Sequence, residues 1–164
     1  MQRILILGLN GSGKSTLANK LGKILNLEVF HLDKLYFKPG WKAVEKEEWP
    51  RIVQNVIDKD KWIIDGTYPS SLDRRIERSD TIIFLNFNKL LCLYRIIIRI
   101  FDRTQPFDRA EGNFHKISWY LIKKVIIYPK QKILKKLEKY KDTKKIFIIK
   151  NSKEVEELLL KLSK

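Results

Sequence analysis

The sequence predicts an α/β domain with a mostly parallel sheet covered by helices on both faces. Three observations carry that expectation. Five short apolar runs, at 2–7, 27–32, 61–65, 81–86 and 145–149, are strand-like. Helical patterns fill the gaps between them, and alternating strands and helices make parallel sheets whose faces are both covered. The chain has 164 residues, enough for one substantial core, and no repeat, low-complexity tract or linker divides it. One domain over residues 1–164 is expected.

The first run, Ile4-Leu5-Ile6-Leu7, leads directly into Gly8-Leu9-Asn10-Gly11-Ser12-Gly13-Lys14-Ser15-Thr16. This segment meets G-x-x-x-x-G-K-[ST] at every constrained position, with a strand before it and a helix start, Ser15 to Leu21, after it. Glycines let a backbone turn its N–H groups inward on phosphate oxygens, and a helix N-terminus adds the positive end of its dipole. The pattern places Gly8, Asn10, Gly11, Ser12, Gly13, Lys14, Ser15 and Thr16 around a nucleoside triphosphate. Lys14 then reaches the β- and γ-phosphates, and the Ser15 hydroxyl takes a position on Mg²⁺.

After the second run come His31-Leu32-Asp33 and the aromatic residues Tyr36, Phe37 and Trp41, interrupted by the turn Pro39-Gly40. Ligands of such folds bind beyond the carboxyl ends of the strands. Asp33, just past a strand end, therefore either takes a proton from a substrate hydroxyl or steadies a water on Mg²⁺, or else caps the next helical turn. His31 is read as a structural hydrogen-bonding residue. The aromatic trio either sandwiches an acceptor ring or packs under its own loop.

Helix 44–59 follows, with Val44, Trp49, Ile52, Val53, Val56 and Ile57 at helical spacing. The third strand ends in Ile64-Asp65-Gly66-Thr67-Tyr68-Pro69, where a carboxylate after β-branched residues suits the organisation of a magnesium ion. Asn88 is placed to cap the next helix, in which Leu91, Tyr94, Ile98 and Phe101 form an apolar stripe. Arg95 and Arg99 stand four apart on that helix, with Arg103 and Arg109 beyond. Arginines in an apolar helix need anionic partners, so Arg95, Arg99 and Arg109 are candidates to meet a migrating phosphoryl group; salt bridges are the structural alternative. A long helical stretch over about 115–140 must break near Pro129.

Composition bounds the partners. The 34 Lys and Arg outnumber the 19 Asp and Glu, and residues 89–150 alone hold 17 basic against 5 acidic side chains. Such a field attracts polyanions, although the lysines of 130–145 are read as a solvated helical face. The single Cys92 allows no disulfide framework and points to a reducing compartment. No signal peptide or membrane span fits, so a cytoplasmic protein, monomeric or homodimeric, is expected.

Asp65-Gly66-Thr67-Tyr68-Pro69 resembles the Asp-Gly-Phe-Pro turn of adenylate kinases, and Arg95-Ile96-Ile97-Ile98-Arg99 is similar to the arginine pair that opens their lid. Nearly the whole chain resembles the small adenylate-kinase-like proteins named for DNA topology modulation, the FlaR-type P-loop proteins. Leu32-Asp33-Lys34-Leu35-Tyr36 with Pro39-Gly40-Trp41, and Ser79-Asp80-Thr81-Ile82-Ile83-Phe84-Leu85, carry that likeness together with the Asp65 turn. The resemblance implies a three-layer α/β/α P-loop NTPase fold with a five-stranded parallel sheet in order 2-3-1-4-5. It also implies ATP as donor, an acceptor-binding segment at about 33–60 and a short lid at about 99–114. Two departures from adenylate kinases stand out. Ser70 replaces the arginine that would grip an acceptor monophosphate, and Asp33 occupies a region where another such arginine is expected. Asp33 there resembles the substrate aspartate of shikimate- and gluconate-type kinases, which favours a hydroxyl-bearing acceptor unless Arg74 or Arg75 supplies a displaced phosphate contact.

The leading expectation is an ATP- and Mg²⁺-dependent kinase of a small molecule or nucleotide. Lys14, Asp33, Arg95, Arg99 and Arg109 would be its catalytic residues, and Ser15 and Asp65 its metal residues. The alternatives are a nucleotide-gated DNA- or RNA-binding protein affecting DNA topology and a non-catalytic scaffold. For the former, no helix-turn-helix, zinc or OB signature is present in the sequence.

Overall fold

Runs of consecutive apolar residues have no polar face to give to solvent, so they go to the middle of the molecule. Five of them form the central sheet: β1 (Arg3–Gly8), β2 (Val29–His31), β3 (Trp62–Asp65), β4 (Thr81–Leu85) and β5 (Lys145–Ile149). The computed structural model describes residues 1–99, 101, 108–113 and 119–163, with the backbone alone for 119–121. All strand pairs of the sheet are parallel, in the spatial order β2-β3-β1-β4-β5. This is the order that the resemblance implies.

The helices are α1 (Lys14–Leu25), the single-turn α2 (Leu32–Tyr36), α3 (Trp49–Ile57), α4 (Leu72–Arg78), α5 (Lys89–Ile98), α6 (Trp119–Ile126), α7 (Lys130–Glu138) and α8 (Ser152–Leu162). Successive strand residues point to opposite faces, and this divides the core in two. Leu5, Leu7, Ile64, Ile82 and Phe84 meet α3, α4 and α7 through Val53, Ile57, Ile76 and Leu137. Ile4, Ile6, Ile63, Ile83 and Leu85 meet α1, α5, α6 and α8 through Leu17, Leu21, Cys92, Val125 and Leu158. The result is the three-layer α/β/α arrangement.

Local signals end the elements where expected. Asn88 Oδ1 accepts from the amide of Leu90 at 2.8 Å and caps α5. The expected break falls between α6 and α7, with Pro129 immediately ahead of α7. Three expectations change. The helix expected at 44–59 spans only Trp49–Ile57; Pro50 lies in its first turn, where a missing N–H costs nothing, and would break a helix running through from residue 44. The second strand shrinks to Val29–His31. A small antiparallel hairpin, Phe37–Lys38 with Lys42–Ala43, flanks the Pro39–Trp41 turn and was not expected at all.

The apolar stripe of α5 also faces the other way. Leu91, Tyr94, Ile98 and Phe101 are exposed, whereas Cys92 is fully buried and Leu93 and Ile96 pack against the core. A helix apolar on nearly every side does not reveal which stripe turns inward. Cys92 faces the glycine loop, where a Cβ built on Gly11 would stand 2.4 Å from its carbonyl oxygen. Among the described residues, no helix is long and apolar enough to cross a membrane.

Candidate active site

Parallel strands point their carboxyl ends the same way, so β1, β2 and β3 deliver Gly8, His31 and Asp65 to one edge of the sheet. The cleft above that edge is lined by Asn10, Gly11 and Gly13 from the loop after β1 and by Lys14 and Ser15 from the first turn of α1. Its other walls come from His31, Asp33, Asp65 and Thr67, and from Arg99, Asp108 and Arg109. Of the loop residues expected around a triphosphate, Gly8, Ser12 and Thr16 do not line the cleft. Gly8 accepts the Thr67 hydroxyl at 3.1 Å through its carbonyl, Ser12 is buried and Thr16 is exposed.

Gly13 takes a left-handed conformation, φ 92°, immediately before α1, and nothing stands within 4 Å of the place a Cβ would occupy. That leaves the helix N-terminus, with its unpaired first-turn amides, open on the cleft. Lys14 is 9 % exposed and its Nζ donates to the Leu9 carbonyl at 2.8 Å, which folds the ammonium back over the loop. Burial pushes the Lys14 pKa down, and Asp65 and Asp33 partly offset this.

Asp65, the last residue of β3, is 4 % exposed and engaged at both carboxylate oxygens. Ser15 Oγ donates to Oδ2 at 2.6 Å, and His31 Nδ1 lies 2.7 Å from Oδ1. His31 Nε2 in turn lies 3.0 Å from Asn19 Oδ1 on α1. The register that sets His31 beside Asp65 on neighbouring strands makes this clamp possible. His31 is thus the structural hydrogen-bonding residue expected, and Asn19 is its partner. Mg²⁺ takes one or two protein oxygens and completes its shell with phosphates and water. The Ser15 hydroxyl and Asp65 carboxylate, adjacent and facing the cleft, are a donor set of that kind. No larger group of His, Cys, Asp or Glu that could hold a metal occurs among the described residues.

Asp33 lies one residue past the expected strand-end position, in the first turn of α2, where His31 and not Asp33 holds the cap position. Its Oδ1 accepts from the Tyr68 hydroxyl at 2.7 Å. Tyr36, Phe37 and Trp41 pack against one another and against Trp49 and Tyr68, with ring centroids 4.8–5.4 Å apart. None of these rings lines the cleft; they pack together beside the Pro39–Trp41 turn.

Neither candidate for a displaced phosphate contact reaches the cleft. Arg74 Nη1 donates to Gln54 at 3.4 Å. Arg75 is wholly buried and donates to the Gly66 carbonyl at 2.8 Å, the Tyr68 carbonyl at 2.7 Å and Ser71 Oγ at 3.1 Å. It builds the turn that positions Thr67 and Tyr68, and burial pushes its pKa down to about 10.

The arginines divide. Arg99 and Arg109 line the cleft. Arg95 does not: its Nη2 donates to Ser152 Oγ at 3.3 Å and its guanidinium lies 5.3 Å from the Phe87 ring. Arg103 and most of the segment expected as a lid lie outside the described residues. The Arg109 guanidinium stacks 4.9 Å from the Trp41 ring, and its pKa is lowered, chiefly by burial. Sequence reasoning missed Tyr68, whose place three residues after Asp65 was a usable signal, and Asp108, which carries none. Several lysines of the basic half contact neighbouring elements. Lys144 Nζ donates to the carbonyls of Glu77 and Ser79, Lys136 pairs with Asp73, and Lys89 donates to the Ile126 carbonyl.

No protein-family model and no curated protein sequence matches the chain. Solved structures do. A shikimate kinase from Acinetobacter baumannii in complex with shikimate aligns with a TM-score of 0.58 at 17 % identity, over 99 % of this chain and 90 % of that one. A gluconokinase from Sinorhizobium meliloti 1021 aligns at 0.55 and 15 % identity, over 98 % and 89 %. A shikimate kinase from Bacteroides thetaiotaomicron aligns at 0.54 and 20 % identity, over 98 % and 95 %. The three-layer P-loop kinase fold extends over essentially the whole chain.

Proposed function

We propose that the protein is an ATP- and Mg²⁺-dependent phosphotransferase whose acceptor is a small molecule bearing a hydroxyl group. The observation that carries this reading is the convergence of a phosphate-binding loop with Lys14, the Ser15–Asp65 oxygen pair and Asp33 on one cleft. The fold shared with two shikimate kinases and a gluconokinase supports a small-molecule acceptor.

In this reading the loop amides and Lys14 hold the β- and γ-phosphates, and Ser15 and Asp65 hold Mg²⁺. The ion, when bound, neutralises charge that builds on the phosphates. Asp33 accepts the proton of the acceptor hydroxyl while Tyr68 steadies its other lone pairs. The acceptor oxygen bonds to the γ-phosphorus as the bond from that phosphorus to the bridging oxygen breaks, and ADP leaves with the electron pair. Arg99 and Arg109 supply the positive charge that such a transfer needs.

A hydroxyl is favoured over a nucleoside monophosphate because the acceptor wall carries the Asp33 carboxylate, while Arg74 and Arg75 are turned to other partners. A carboxylate repels a phosphate and suits an O–H donor. Kinship with the FlaR-type proteins rests on the sequence segments alone and leaves this chemistry unchanged. The test is ATP·Mg²⁺ with a panel of hydroxy acids, sugars, nucleosides and nucleoside monophosphates. Transfer to a hydroxylated acceptor, lost in Lys14→Ala, is expected. Transfer only to monophosphates, or none to any acceptor, would sink the reading.

A further inference from the structure

Trp41 adopts φ 62°, in the left-handed region that a large side chain rarely enters. It follows Gly40, at φ 76°, in the turn between the two hairpin strands. Strain of that kind persists only where the surroundings over-determine it. Here the surroundings include the flanking hairpin ladder and one polar side chain from 72 residues away. Asn113 is fully buried, its Oδ1 accepts from the Trp41 amide at 2.9 Å, and its Nδ2 donates to the Lys38 carbonyl at 3.0 Å. The carboxamide thus closes the turn from both sides, with donor and acceptor each used. The indole that this turn presents packs on Phe37, with centroids 5.4 Å apart, and carries the Arg109 guanidinium at 4.9 Å. Arg109 lines the cleft beside Asp33 and Lys14.

We propose that Asn113 is a positioning residue of the transfer site: by clamping the Lys38–Trp41 turn it fixes the indole beneath Arg109 and so sets that guanidinium over the cleft. The inference rests on the phosphotransferase reading for its consequence and on the clamp geometry for its existence. It joins the two sides of the site physically. Asp33 bonds Tyr68, Tyr68 packs on Tyr36, Tyr36 on Phe37, Phe37 on Trp41, and Trp41 on Arg109. The residue that faces the acceptor and the residue that faces the phosphoryl group therefore sit on one packed wall. Backbone economy argues the same way. A turn needed only for chain reversal would be met more cheaply by Gly or Asn at position 41. A tryptophan held there by a dedicated buried amide supplies a ring.

The experiment uses the full chain, Asn113→Ala and the milder Asn113→Asp, which keeps an acceptor for the Trp41 amide and removes the donor to Lys38. Nuclear magnetic resonance would follow hydrogen exchange at the Trp41 amide and the Arg109 Nε–H resonance. Titration calorimetry would follow binding of a non-hydrolysable ATP analogue with Mg²⁺. In Asn113→Ala the Trp41 amide should exchange about tenfold faster and the Arg109 resonance move toward its solvent-exposed position, with analogue affinity down about fivefold, as for loss of one or two hydrogen bonds. Adding Asn113→Ala to Arg109→Ala should cost nothing further, because the two act as a unit. An unmoved Arg109 resonance, or losses that multiply in the double variant, overturns the inference. If Asn113→Ala does not fold, Asn113→Asp decides by the same resonance. If the unmodified protein binds no analogue, the phosphotransferase reading falls while the resonance still decides the clamp.

Discussion

Ser15 Oγ and Asp65 Oδ2 meet at 2.6 Å, joining the first turn of the helix after the glycine loop to the end of the neighbouring strand. The other oxygen of the same carboxylate lies 2.7 Å from His31, so Asp65 is aimed before any ligand arrives. Asp65→Asn keeps the shape and removes the charge. The Mg²⁺-dependent part of nucleotide affinity is expected to fall about 10- to 100-fold, the range seen when such supporting groups are lost. Affinity without Mg²⁺ should change little. Titration calorimetry with and without the ion measures both.

In the proposed phosphotransferase, Lys14 couples stability to function. Its ammonium is buried, and the folded chain holds its pKa below the ordinary 10.5. Between the lowered value and 10.5, the unfolded chain keeps a proton that the folded chain has shed, so stability rises with pH across that window. Below the window both states are charged and the folded state bears the full cost of burying the charge. Lys14→Met should therefore be more stable at neutral pH by about 1 kcal/mol, or about 2–4 °C in Tm, and should lose the alkaline rise. Its affinity for ATP should collapse. Thermal unfolding across pH 7–11, beside nucleotide titration, tests the trade.

Arg75 is a buried cation serving three acceptors in different directions. Arg75→Met strands the carbonyls of Gly66 and Tyr68 and is expected to cost about 3 kcal/mol or more in urea unfolding. Arg75→Lys should recover little, since one ammonium cannot reproduce a planar fork. A loss of under about 1 kcal/mol would show that the turn stands without it.

Asp33→Asn should lower the rate of phosphoryl transfer by about 10²-fold or more, the usual contribution of a positioned base, with ATP affinity preserved. Tyr68→Phe removes the 2.7 Å hydrogen bond to that carboxylate and should cost about tenfold or less. Single-turnover kinetics separate these losses from binding.

Arg95 and Arg99 are four residues apart, yet only Arg99 lines the cleft. Arg99→Ala should slow transfer about 10²-fold or more, as for loss of a charge that stabilises the transition state. Arg95→Ala, with its guanidinium directed to Ser152 and Phe87, should stay within about twofold, the scale of a surface substitution. Equal losses would return Arg95 to the site.

The five β-strands, the loop from Gly8 to Ser15, the cap at Asn88 and the break at Pro129 were legible in the chain because each follows from neighbours in sequence: apolar runs, glycine spacing, one side-chain oxygen, one missing N–H. The order of the strands across the sheet came from the family resemblance alone. So was Asp65, since a strand end places its last residue at the edge where ligands bind. What the chain alone could not decide is which side chains turn inward from an element that is apolar all round, and which distant groups share a cleft. Leu91 and Tyr94 have helical spacing but face outward, and Arg95 turns to α8, because tertiary packing selects the buried stripe. His31 meets Asp65 through strand register, Arg75 is consumed by carbonyls of its own turn, and Asn113 reaches Trp41 across 72 residues. Local chemistry determined the glycine loop and the helix start that follows it. Only the packing of distant segments decided which of the arginines stand opposite it and which turn away.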